Sequence, residues 1–74
     1  MKLGTKGKHP HGTQWEYRDE NVWATIEVLE SNGVTRYVWW YKSKTGTFPK
    51  GNYEFTYSSA RERLPEGIRL KRIK

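Results

Sequence analysis

The dipeptide Asn32-Gly33, set between two runs rich in β-branched and aromatic residues at 22–30 and 34–42, constrains this chain more than any other feature. Both central residues of a tight type I′ turn need positive φ, which Asn tolerates and Gly adopts freely, so the dipeptide predicts a β-hairpin. A turn at that point sets the pairing: Ser31 faces Val34, Val28 faces Tyr37, Ile26 faces Trp39 and Ala24 faces Tyr41. Side chains alternate across a strand, so Val22, Ala24, Ile26, Val28, Tyr37, Trp39 and Tyr41 share one apolar face, half of a core. The opposite face receives Trp23, Leu29, Val38 and Trp40 beside Thr25, Glu27 and Arg36. A solvated sheet face is normally polar, so two tryptophans there imply either a covering element or an exposed adhesive platform.

Beyond the hairpin, Lys44, Thr45, Gly46, Pro49 and Gly51 mark a loop over 42–51. Alternation at 52–57 sets Tyr53, Phe55 and Tyr57 on one side of a third strand. Ser59-Ala60-Arg61-Glu62 matches a capping box, which predicts a short helix over 59–64, stopped by Pro65 and Gly67. Ile68 and Leu70 alternate with Arg69 and Lys71, predicting a last strand over 68–73. The expected architecture is α+β: a small antiparallel sheet of three to four strands around the hairpin at 22–42, with one short helix near 59–64. An all-β barrel is the alternative. Residues 1–13, with Gly4, Gly7, Pro10 and Gly12 and little to bury, read as a flexible basic arm, and 14–74 as a single domain.

A chain of 74 residues makes one domain and has no room for a deep catalytic cleft. It has no cysteine, hence no disulfide framework and no thiolate zinc site. His9 and His11, its only histidines, sit in the N-terminal stretch and make a weak chelating pair, read as solvated loop residues. Lys44-Thr45-Gly46-Thr47 lacks the spacing of a phosphate loop. No catalytic residues, metal or cofactor are therefore expected, and the chain reads as a non-enzyme. No apolar run is long enough to span a membrane, and the first residues lack the apolar region of a signal peptide. A monomer of the cytoplasm is expected.

The net charge of +6 favours acidic partners, and its distribution is uneven. Lys2, Lys6 and Lys8 stand in the arm without an acid. Glu16, Asp19, Glu20, Glu27 and Glu30 then outnumber Arg18, and the chain ends in Arg61, Arg63, Arg69, Lys71, Arg72 and Lys74 against Glu62 and Glu66. Two basic ends suit a specific docking surface, with solvated faces as the plainer explanation of each single charge. Basic residues interleaved with aromatics suit single-stranded nucleic acid, since bases stack on rings while cations follow phosphates. Trp23, Trp40 and Arg36 have that chemistry, although a cysteine-free core also demands many aromatics.

Val22-Trp23-Ala24-Thr25-Ile26-Glu27, followed later by Pro65-Glu66-Gly67-Ile68-Arg69-Leu70-Lys71-Arg72-Ile73-Lys74, resembles the small phage-encoded regulators that bind host bacterial RNA polymerase. The T7-type inhibitor and a small Xanthomonas-phage transcription factor are of this kind. The resemblance implies docking on host RNA polymerase in the bacterial cytoplasm, with Arg72 and Lys74 matching basic positions of the T7-type last strand. On that reading Arg69, Lys71, Arg72, Lys74, Arg36, Trp23 and Trp40 meet the partner. Lys2, Lys6 and Lys8 reach toward nascent RNA or DNA, and the outcome is inhibition of initiation or antitermination. The T7-type protein has a longer, acidic helix where this chain has the short 59–64 segment. A stand-alone RNA- or DNA-binding module and an inhibitor of another host protein are the alternatives.

Overall fold

The hairpin forms in the register its turn dictates. In the computed structural model, which describes residues 9–44 and 49–74, Asn32 and Gly33 take φ of 53° and 78°. Strand β2 (Val22–Ser31) pairs antiparallel with strand β3 (Val34–Ser43). Ser31 faces Val34, Val28 faces Tyr37, Ile26 faces Trp39 and Ala24 faces Tyr41, as expected.

The sheet is wider than expected. Strand β1 (Gln14–Arg18) precedes the hairpin, and β4 (Lys50–Glu54), helix α1 (Tyr57–Glu62) and β5 (Lys71–Arg72) follow it. Among the described residues these make one five-stranded antiparallel sheet in the order β4-β3-β2-β1-β5. No described pairing joins the edge strands β4 and β5, so the sheet is open and not the barrel held as the alternative. β1 lies outside the expected strands, although Gln14-Trp15-Glu16-Tyr17-Arg18 is an alternating aromatic run.

The remaining boundaries shift for local reasons. β4 ends at Glu54 rather than continuing to 57, because the chain turns at Thr56 and sends Tyr57 to the core side, its ring 4.6 Å from that of Trp15. The helix cap is accordingly Thr56, not Ser59: Thr56 Oγ1 accepts from the Ser59 N–H at 3.1 Å. β5 keeps only two residues of the expected 68–73 strand. Extending its register, which pairs Glu16 with Lys71, would set Arg69 opposite Arg18, and like charges facing across strands repel. The Ile68 carbonyl accepts instead from Arg61 Nη2 at 2.7 Å.

One face of the sheet carries the core. Trp15, Ala24, Ile26, Val28 and Tyr37 are buried with Ala60, Leu64 and Ile68 from the helix and the segment after it. Fully burying a side chain such as Ile26 or Val28 is worth about 1.5–3 kcal/mol. The N-terminal segment closes the same core. Residues 1–8 of the expected arm lie outside the described residues, and its last two residues, Gly12 and Thr13, are hydrogen-bonded to β2. Gly12 N–H donates to the Val28 carbonyl at 2.8 Å and Val28 N–H to the Thr13 carbonyl at 2.9 Å. Gly12 takes φ of 93°, in the left-handed region that glycine favours. The two histidines, expected as solvated, are tied in with it. His9 Nδ1 lies 2.9 Å from the Tyr37 hydroxyl with its ring edge-on to Trp15, and His11 Nδ1 accepts from Glu30 N–H at 2.9 Å.

Candidate nucleic-acid interface

The strand register that builds the core also assigns every residue of the opposite face. Across the sheet, Lys71 stands beside Glu16, then Thr25, Trp40 and Gly51. A second row runs Gln14, Glu27, Val38, Tyr53, and a third sets Arg18, Trp23 and Lys42 side by side. Leu29 and Arg36 pair beyond them. The helix packs against β3 and β4 from the core side, and no described element covers this second face.

Its aromatics are held rather than loose. Trp23 and Trp40 meet edge to face, ring centroids 4.7 Å apart at 74°. Trp23 Nε1 donates to Glu16 Oε2 at 2.8 Å, and the Arg18 guanidinium lies 4.7 Å from the centre of the same ring. Trp40 lies against the backbone of Gly51, where a β-carbon would approach its Cδ1 to 3.0 Å. Tyr53 and Phe55, 43% and 53% exposed, meet edge-on at 5.5 Å, and Arg36 sits 5.2 Å from the Tyr53 ring centre. A shallow groove of about 310 Å³ runs between Trp23, Arg18, Lys42, Lys44 and the 19–21 turn.

That turn is built by Asp19. Its Oδ1 accepts from the Asn21 and Val22 N–H groups at 2.7 and 2.8 Å, and its Oδ2 accepts from the Tyr17 hydroxyl. The Tyr17 bond, followed by the backbone donors, holds the Asp19 carboxyl below its usual range. The same bond raises Tyr17, and burial raises Tyr37.

Of the residues singled out from sequence, Trp23, Trp40 and Arg36 share this face with Lys71. Arg72 pairs with Trp15 and so belongs to the core-side set, its Nε donating to the Lys74 carbonyl at 2.9 Å. Arg69 and Lys74 are exposed in the flanking C-terminal segments. Lys2, Lys6 and Lys8 lie outside the described residues. Sequence reasoning passed over Arg18, Lys42, Tyr53 and Glu27 as site residues. Lys42 could have been found by carrying the hairpin register one pair further to Trp23, whereas Arg18 required β1.

Among the described residues no group of three or more His, Asp or Glu could hold a metal ion, and no helix is long and apolar enough to cross a membrane. Fold and face define a small antiparallel sheet with one aromatic and cationic surface that no described element covers. Compared with known protein families, curated proteins and solved structures, the chain matches none.

Proposed function

We propose that this domain binds single-stranded nucleic acid on the uncovered face of its sheet. The observation that carries the reading is the set of three rings, Trp23, Trp40 and Tyr53, on a face bordered by Arg18, Arg36, Lys42 and Lys71. Every base has a flat π surface, so rings held in place accept successive bases while flanking cations follow the phosphates. An unpaired strand suits this geometry better than a duplex, whose base faces are already stacked on one another. Trp23 presents the Arg18 guanidinium on one side, itself a stacking plane for a base.

Tryptophan fluorescence titrated with a short unstructured oligonucleotide tests this. Affinity should fall with salt, with a slope of about −2 in logarithmic terms if about three phosphates are contacted. Trp40→Ala should cost about 1–3 kcal/mol of binding energy. Absence of binding at about 50 mM salt overturns the proposal.

Docking on bacterial RNA polymerase is the second reading, favoured by the exposed basic residues Lys71 and Arg72 on the edge strand β5. It predicts retention of purified polymerase by the immobilised protein at moderate salt, weakened when Lys71, Arg72 and Lys74 are neutralised. Failure to retain any polymerase subunit rejects it.

A further inference from the structure

The middle of the uncovered face carries a carboxylate. Glu27 is half-buried between Gln14 on β1 and Val38 on β3, with Thr25 and Leu29 flanking it along β2. Among the described residues its carboxylate has neither a hydrogen bond nor an ion pair. Glu16, the other carboxylate of the face, is occupied by the Trp23 indole, so Glu27 keeps its full acceptor capacity.

Resting on the single-strand reading above, we infer that Glu27 makes this face prefer guanine. A carboxylate repels phosphate, so the sugar-phosphate backbone follows the bordering cations and base edges turn inward to Glu27. An ionised carboxylate offers two acceptor oxygens and no donor. Guanine alone among the common bases presents two adjacent donors on its Watson–Crick edge, the N1–H and the 2-amino group, which match both oxygens at once. Adenine, cytosine and uracil each offer one donor group there. Gln14, directly opposite Glu27, has an amide N–H to give to guanine O6. Trp40 is diagonal to Glu27 and Tyr53 lies in the Glu27 row beyond Val38, so ring surfaces for stacking border the carboxylate.

The test compares short uridine oligonucleotides that differ only at a central guanosine, adenosine, inosine or uridine. The wild-type protein should bind the guanosine strand about tenfold more tightly than the adenosine or all-uridine strands. Inosine, which keeps N1–H and lacks the 2-amino group, should fall between, a comparison that needs no variant protein. Glu27→Gln, isosteric and half-exposed, should abolish the guanosine preference while affinity for the all-uridine strand holds or rises. Equal binding of all four strands by the wild type overturns the guanine inference and leaves single-strand binding standing. Binding of none overturns both. Retention of the preference in Glu27→Gln overturns the assignment to Glu27.

Discussion

A methyl group added at Gly51 would lie 3.0 Å from Trp40 Cδ1 and 3.2 Å from the Trp39 carbonyl oxygen. The carbonyl belongs to a paired strand and yields little, so the indole must move. Gly51→Ala is therefore expected to destabilise the fold by about 1–3 kcal/mol. It should also weaken oligonucleotide binding, because Trp40 loses its seat against Gly51. Thermal unfolding and fluorescence titration of this variant check both effects; an unchanged affinity would show that the seat of Trp40 does not matter to the face. The neighbouring Trp39 poses the opposite case. Its indole N–H is buried without a partner among the described residues, a cost of about 1–3 kcal/mol that the surrounding apolar contacts offset.

The short elements depend on side chains that satisfy their ends. α1 has six residues, too few to be stable alone, and Arg61 ties its exit to the chain that follows. The guanidinium donates to the carbonyls of Leu64, Pro65 and Ile68 at 3.5, 3.0 and 2.7 Å. Arg61→Ala should cost about 1.5–3 kcal/mol, and Arg61→Lys should recover little of it, since an ammonium has no planar fork to reach separated carbonyls. Chemical denaturation of both variants measures the difference. The β1–β2 turn makes a pH prediction. Asp19 is held below its ordinary range in the folded protein, so its contribution is complete above that range and is lost as pH falls through the folded value. Unfolding midpoints followed from about pH 7 to about pH 2 should drop less in Asp19→Asn than in the wild type, because Asn keeps the turn acceptor but has no charge to titrate. Equal acid sensitivity would show that other carboxylates dominate. Tyr17 and Tyr37, both raised, act in the opposite sense: their contribution is present below the ordinary tyrosine range and fades as pH rises through the folded values.

At the scale of the whole molecule, the hairpin register was readable because Asn32-Gly33 allows one tight turn, and period-two alternation then assigns each side chain to a face. That local information extended to Trp23 and Trp40 sharing a surface. It did not place Arg18 beside Trp23, because alternation marks β1 as a strand while only its pairing with β2 sets those two residues side by side, and nothing local joins β1 to β5, more than fifty residues further along the chain. The helix start was misplaced for a related reason. Ser59 satisfies the local capping pattern, but packing of Tyr57 against Trp15 begins the helix at Tyr57 with Thr56 as its cap, and no local motif encodes that contact. The amino-acid sequence by itself determined the central hairpin, the apolar face and the excess of cations, because each follows from backbone preference, alternation or composition. Only the tertiary structure decided which side the helix covers, and hence that no described element covers the tryptophan face with Glu27 at its centre, because choosing one face of a sheet depends on contacts between segments distant in sequence.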